Sequence, residues 1–190
     1  ISVLIGLAIG LMAGFIKPVE TVVMRLMDGL MAIPAILLAI ALVSLTKAGV
    51  FIVVLAIVIP EIPRVVRLVR SVVLTVREQP YVEAAIASGT RLPKILLRHV
   101  LPATIPPLIV QATYICASAI LIEAALSFLG AGTPPEIPTW GNMIATSRLY
   151  LSRAPWTVFC PGLALALVVL AVNLVGDGLR DRLDPRIARR

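Results

Sequence analysis

Two carboxylates, Glu83 and Glu123, each open a Glu-Ala-Ala triplet in a chain that is otherwise mostly apolar. The first triplet is followed by three residues and Gly89, and later by Leu-Pro at 101–102. An acid among residues this small lets the backbone of a partner come close, and Gly89 permits the positive φ that ends a helix sharply. These residues predict a docking element, and the sequence offers no set of side chains that predicts a catalytic or metal site.

Two short helices must carry the first triplet. Residues 80–88 can form about two helical turns ending at Gly89, and a second helix capped by Thr90 would stop before Pro102. The product is a helix–glycine–helix elbow with an apolar side and one fixed carboxylate. Such an elbow fits a groove on another protein, and it equally fits an amphipathic linker that lies on a membrane without a partner.

The composition predicts an integral membrane protein in contact with membrane lipid. The sequence has 59% hydrophobic and 14% charged residues, whereas soluble domains have about 25% charged residues. Its net charge of +7 does not indicate a nucleic-acid partner, because the basic residues lie between apolar runs rather than on one polar surface. The fold class expected is all-α, a polytopic transmembrane bundle that forms a single domain over residues 1–190.

Five spans are predicted from the apolar runs. The third starts at Val50 and meets Pro60 and Pro63 after about 13 residues, or roughly 20 Å of helix. The chain starts inside an apolar run, so we expect a preceding span and leader in the whole protein. The spans lie at about 1–16, 26–45, 50–63, 104–129 and 156–175.

The placement of Lys and Arg predicts the orientation. With residues 63–101 in the cytoplasm, 14 of the 17 basic residues lie inside, and residues 130–155 form an external loop. The outer residues are Lys47, Arg148 and Arg153. The inner residues are Lys17, Arg25, Arg64, Arg67, Arg70, Arg77, Arg91, Lys94, Arg98, Arg180, Arg182, Arg186, Arg189 and Arg190.

The first triplet and its spacing resemble the cytoplasmic signature of binding-protein-dependent ABC importer permeases. The matching residues are Glu83, Ala84, Ala85, Gly89, Leu101 and Pro102, while His99 replaces the branched aliphatic residue often found two before Leu-Pro. Three further stretches resemble the dipeptide, oligopeptide and nickel branch, which usually has six spans. They are MRLMDGLMAIPAILLAIALV (24–43), EAALSFLGAGTPPEIPTWGNMI (123–144) and NLVGDGLRDRLDPR (173–186).

The resemblance implies a permease subunit of an ATP-driven importer in a bacterial or archaeal inner membrane. The elbow would be the coupling helix, and Glu83 would pair with a basic group in a cleft of a separate ATPase subunit. The implied partners are two ATPase subunits, a second related permease and an extracytoplasmic substrate-binding protein. The implied cargo is peptides first, with nickel and other small solutes behind them.

ATP and Mg²⁺ would be used by the ATPase partner, and we expect no cofactor on this chain. A P-loop needs Gly-Lys followed by Ser or Thr, and Lys17, Lys47 and Lys94 each lack a preceding Gly. The chain is therefore interpreted as a transport subunit rather than an enzyme.

A gated ion channel, or another polytopic transporter not driven by ATP, is the alternative. Arg64, Arg67 and Arg70 recur at every third residue, as in a voltage-sensing helix. The periodicity ends at Val73, and no Thr-Val-Gly-Tyr-Gly filter is present. A solvated face that anchors the protein at the membrane surface is the preferred interpretation of these arginines.

Glu123 falls inside the fourth span, where a carboxylate indicates a functional site by default. Two roles stay open: a structural one, protonated or hydrogen-bonded to neighbouring helices, and a place in the translocation path. Cys116 and Cys160 also fall in apolar spans, and we interpret both as small buried residues without a disulfide or metal role.

Overall fold

The computed structural model describes residues 1–45 and 49–183, and every regular element within them is helical. The predicted all-α fold class is therefore confirmed. Lys47, Arg186, Arg189 and Arg190, which contribute to the predicted orientation, lie outside the described residues. The α-helices are α1 (Ser2–Phe15), α2 (Lys17–Ala32), α3 (Ala35–Ser44), α4 (Val50–Arg77), α5 (Pro80–Ala87), α6 (Leu92–Ile95), α7 (Leu101–Phe128), α8 (Trp140–Ser147) and α9 (Trp156–Leu183). A π-helical turn (Leu96–Val100) joins α6 to α7, and a 3₁₀ turn (Arg148–Tyr150) follows α8.

Helix α4 is longer than the sequence predicts. The third span was expected to end near Pro60 and Pro63, but the helix continues through both prolines to Arg77, 28 residues in all. A proline in a helix interior removes a hydrogen bond and costs about 3 kcal/mol or more. Burial stabilises the continuous helix here, because Glu61, Pro63 and Val65 are all fully buried. Packing around the prolines therefore holds α4 together.

The second arm of the elbow continues directly into the fourth predicted span. The expectation that this arm stops before Pro102 is wrong, since one helix of 37 residues runs over 92–128. Within its π turn the Leu101 N–H donates to the Leu96 carbonyl, five residues back. The extra residue shifts the register just before Pro102, whose ring would clash with the carbonyl four residues earlier in a regular α-helix.

The chain divides into two compact units. Unit 1 contains Ile1–Ala32, Glu61–Ala112 and the chain from Asp177 onward. Unit 2 contains Ile33–Pro60 and Thr113–Gly176. The elbow belongs to unit 1, and Glu123 belongs to unit 2.

In unit 1, three glycines spaced by one turn on α1 contact three fully buried valines on α4. A Cβ atom on Gly10 would lie 2.7 Å from the Cβ of Val69, so the two helices approach more closely than any side chain on α1 would permit. Residue numbers rise together along both helices, which therefore run in the same direction. The contacts are Gly6 with Val65, Gly10 with Val69 and Gly14 with Val73.

The arginine row of α4 is paired with carboxylates rather than freely solvated. Two of the three partners lie on α2, so the ion pairs also join α2 to α4 within unit 1. Arg64 and Arg70 are only partly exposed. The pairs are Arg64 with Glu61 at 2.7 Å, Arg67 with Asp28 at 2.5 Å, and Arg70 with Glu20 at an Nε–Oε1 distance of 2.8 Å.

The core of unit 2 brings together α3, the first part of α4 and the end of α7. Its buried residues are small or branched aliphatic side chains. They are Ala39, Val43, Val53, Ala56 and Leu126. Leu126 is fully buried, and it lies one turn beyond Glu123, so this core fixes the part of α7 that carries the carboxylate.

Two helices of the described chain, 92–128 and Trp156–Leu183, are long and apolar enough to cross a membrane. Helices α2 and α3 make a third if they count together as one broken span. These helices correspond to the predicted fourth, fifth and second spans. Helix α1 is apolar but has 14 residues, and the first and third spans stay predictions.

Candidate functional site

Helix α5 ends, as the sequence predicts, at a glycine in the left-handed region of backbone space. Gly89 has a φ of +74°. Its N–H donates to the Ile86 carbonyl at 2.9 Å, and the Thr90 N–H donates to the Ala85 carbonyl at 3.1 Å. These two bonds form a Schellman motif, which satisfies carbonyls at the end of α5 and turns the chain toward α6. The predicted cap at Thr90 is wrong, because Arg91 immediately precedes α6 and its side chain makes no cap hydrogen bond.

The carboxylate and small residues of α5 lie on its accessible side. Glu83 and Ala84 are exposed and Ala85 is partly buried, whereas Val82 is fully buried. Among the described residues the Glu83 carboxylate has no hydrogen bond or ion pair. The elbow therefore presents an accessible charge on a helix that is anchored through its other side.

The two remaining residues of the motif lie apart from this surface. Leu101 and Pro102 are the first residues of α7, beyond α6 and the π turn. Tyr81 and His99, which the sequence did not single out as a pair, connect α5 to that turn with ring centroids 6.2 Å apart. No periodicity predicts a contact across such a bend, so only the folded elbow could reveal it.

The Glu123 carboxylate is hydrogen-bonded near the C-terminal end of α7. The Ser127 hydroxyl donates to Oε1 at 2.8 Å, and the Thr133 hydroxyl donates to the same oxygen at 3.4 Å. Asn142 Nδ2 donates in turn to Thr133 Oγ1 at 3.1 Å. Both donors to Glu123 come from its own helix and the adjoining loop. The structural role predicted for Glu123 involves hydrogen bonds to neighbouring helices instead.

Asn142 folds the beginning of the predicted external loop onto α7. Its Nδ2 also donates to the backbone carbonyls of Thr133, Pro134 and Ile137 at 3.2, 3.1 and 3.0 Å. The backbone N–H of Asn142 donates to the Thr139 hydroxyl at 3.1 Å, which caps α8. The spacing Thr-x-x-Asn could have indicated this cap, but it gives no sign of the carbonyl acceptors.

Close backbone contact completes this arrangement in unit 2. A Cβ on Gly141 would lie 2.7 Å from the Cα of Ala124, and a Cβ on Gly132 would overlap the Ser127 side chain. The segment after Gly130 is therefore packed directly on the helix that carries Glu123, rather than standing free of it.

A concavity of about 570 Å³ lies beside Glu123 within unit 2. Its lining on α7 includes Cys116, about two helical turns before Glu123, and Trp140 and Met143 contribute from α8. Cys116 and Cys160 are free and exposed, which corrects the expectation that both are buried.

Comparison with known proteins identifies the family. Residues 5–189 match the family described as binding-protein-dependent transport system inner membrane component. The chain is 64% identical, over 94% of its length, to the probable peptide ABC transporter permease protein y4tQ of Sinorhizobium fredii. It is 46% identical, over 98% of its length, to the di/tripeptide transport system permease protein DppC of Pseudomonas aeruginosa. It spans 61% and 62% of the lengths of these two relatives.

The fold is also that of a solved ABC transporter chain. A chain from the MetNI methionine ABC transporter, solved in inward-facing conformations, aligns with a TM-score of 0.72. The alignment covers 96% of this chain and 89% of the other, at 20% sequence identity, so the similarity concerns the fold. Because the family match extends over nearly the whole sequence, this chain is a multi-pass inner-membrane protein that belongs to the family of binding-protein-dependent transport system inner membrane components.

Proposed function

We propose that this chain is the permease subunit of an ATP-driven importer for peptides, coupled through the elbow to separate ATPase subunits. The observation that carries the proposal is the accessible Glu83 carboxylate on α5, a helix ended by a Schellman motif at Gly89. Membership of a family of inner membrane components of transport systems supports the transport role.

Peptides are the favoured cargo. The names of the two relatives described above assign them peptide and di/tripeptide transport, and neither name mentions nickel. The proposed assembly has two ATPase subunits, a second related permease and an extracytoplasmic substrate-binding protein.

The elbow suits the coupling role because it is short, exposed and anchored at both ends. ATP and Mg²⁺ bind the ATPase partners, whose closure pulls on α5 and switches the permease pair between inward-facing and outward-facing states. Glu83 pairs with a basic group of the ATPase, and Ala84 and Ala85 let that surface approach the helix backbone. Leu101 and Pro102 set the backbone register at which the elbow joins α7.

The channel alternative loses its main support. Gating charges must be able to move through the membrane field, but Arg64, Arg67 and Arg70 are each paired with a carboxylate of unit 1. The row is better explained as the ionic part of the contact between α2 and α4.

A charge reversal at Glu83 tests the coupling role. In the complete transporter, reconstituted in liposomes with its binding protein, Glu83→Lys should lower peptide-stimulated ATP hydrolysis at least tenfold, because like charges facing each other across an interface cost several kcal/mol. Unchanged stimulation with normal membrane insertion would contradict the proposed docking site.

Glu78→Lys is the matched control. Glu78 is also exposed and lies just before α5, outside the motif, so hydrolysis should stay within about twofold of the unmodified protein, as for most surface substitutions. Gly89→Pro provides an independent test, since proline cannot adopt a φ of +74°. That variant should insert normally and lose stimulated hydrolysis.

A further inference from the structure

We propose that the concavity beside Glu123 binds the ammonium group of the transported peptide, with Glu123 Oε2 as the counter-charge. This inference rests on the proposed function for the identity of the ligand. The cation-binding property itself follows from the site, and it can be tested without any transport measurement.

The two oxygens of Glu123 have different surroundings. Both hydrogen bonds to the carboxylate, from Ser127 and Thr133, end on Oε1. Within residues 1–45 and 49–183, Oε2 has no hydrogen-bond or ion-pair partner. The donors on Oε1 fix the orientation of the carboxylate and leave the second oxygen for another donor.

The walls of the concavity select for a cation. Its lining comprises mostly apolar residues together with Thr139, Trp140 and Glu123, and Glu123 is the one charged residue among the described residues that line it. The Thr139 hydroxyl already accepts the Asn142 N–H. A carboxylate among apolar walls attracts a cation more strongly than one in bulk water, and an indole ring adds its own attraction for ammonium groups.

The position suits a substrate that arrives from outside. α8 and the segment before it form one wall, and they belong to the predicted external loop. A carboxylate within a transmembrane helix is costly to retain, and such residues commonly line transport pathways. An ammonium group is common to the N-termini of peptides of any sequence, so this contact would accept many peptides.

Labelling of the native Cys116 reports on this charge. Cys116 lines the same concavity and is exposed. Every other cysteine of the complete transporter is replaced by Ser, and rates are measured in right-side-out vesicles with cationic trimethylammonium-ethyl and anionic sulfonato-ethyl methanethiosulfonates. Each rate is divided by that of a free small thiol.

The cationic reagent should react about tenfold faster than the anionic one, as expected for one full charge close to the thiol in a partly desolvated site. Glu123→Gln should remove the difference. The control Glu136→Gln, which removes an exposed carboxylate of the same loop, should retain it.

Substrate protection tests the ligand. Trialanine at millimolar concentration should slow labelling of Cys116, whereas N-acetyl-trialanine, which lacks the ammonium group, should not. If the Glu123→Gln transporter does not assemble, comparing the two peptides on the transporter with its native Glu123 still tests whether the site binds an ammonium group. Equal protection by both peptides, or none, would overturn the proposal.

Two further results would also overturn it. One is a preference for the cationic reagent that persists in Glu123→Gln, and the other is a Cys116 that neither reagent reaches because another part of the transporter covers the concavity.

A failure of the proposed function is distinguishable from these results. It would appear as normal stimulated hydrolysis in Glu83→Lys, and it would leave the reagent preference intact.

Discussion

Gly89 determines the geometry of the elbow through its backbone alone. A Cβ placed on it would meet no atom within 4 Å, so a larger residue has space there. The cost of substitution is conformational, because a left-handed conformation costs an L-residue about 1–2 kcal/mol. The two hydrogen bonds of the Schellman motif depend on that conformation.

Gly89→Ala should therefore loosen the end of α5 without unfolding the protein. A loss of about 1–2 kcal/mol corresponds to a 5- to 30-fold larger open population, so hydrogen exchange of the amides at 89 and 90 should speed up by that factor. Mass spectrometry of peptides spanning the elbow measures the change. Gly29→Ala is the control, since Gly29 lies in α2 with equal space around it, and unchanged exchange in both variants would contradict the argument.

Residue type explains why Gly89 could be predicted and Asn142 could not. A positive φ is a property of glycine itself, so the motif and the turn can be inferred together. Asn142 acts on carbonyls of Thr133, Pro134 and Ile137, and these acceptors converge only once an aperiodic loop has folded. The chemistry of the Glu123 site therefore depends on a part of the chain where the sequence pattern carries little information.

At the scale of elements, the contact between α1 and α4 illustrates how a glycine spacing sets an interhelical distance. Glycines leave room for the backbones of two helices to approach closely. Close contact between α1 and α4 depends on this room, and Gly10 against Val69 is the central contact of the three.

Gly10→Ala should destabilise unit 1 by about 1–3 kcal/mol, the usual cost of overpacking. The added methyl group would lie 2.7 Å from the Val69 Cβ. Combining it with Val69→Gly should recover part of the loss, a coupling of about 0.5–3 kcal/mol. Equilibrium unfolding in mixed micelles of a mild detergent and dodecyl sulfate measures the cycle, and strictly additive effects would disprove direct packing between these residues.

Local rules alone misplaced the ends of two helices. The apolar runs correctly predict the fourth and fifth spans as long helices, but they place the end of the third span near Pro60 and Pro63, where α4 continues. Their neighbours Glu61 and Val65 are fully buried, and burial is a tertiary effect that a proline rule does not include. The sequence also fails to predict the π turn before Pro102, because composition gives no sign that the helical hydrogen bonds shift there by one residue.

At the scale of the whole molecule, the predicted orientation places the elbow and the segment 130–155 on opposite sides of the membrane. The orientation follows from the placement of Lys and Arg. The two proposed sites depend on it, since an ATPase must reach Glu83 and a peptide must reach Glu123.

Single cysteines at Ser88 and Ser152 test this orientation in the complete, otherwise cysteine-free transporter. Both serines are exposed, so a membrane-impermeant maleimide should label Ser88→Cys only in inside-out vesicles and Ser152→Cys only in right-side-out vesicles. Labelling of both from the same side would refute the topology, and labelling of Ser88→Cys from outside would exclude the docking role of the elbow.

The ion pairs on α4 neutralise three of its four arginines. Arg64, Arg67 and Arg70 each have an opposite charge beside them, so the three pairs together carry no net charge. A single charge that crosses the membrane potential exchanges about 2.3 kcal/mol per 100 mV, but a neutral pair that moves as one body exchanges almost nothing. When α4 shifts together with α2, these three pairs therefore add almost no dependence on voltage, and only the charges outside them on the two helices, those of Lys17, Arg25 and Arg77, would respond to the membrane potential.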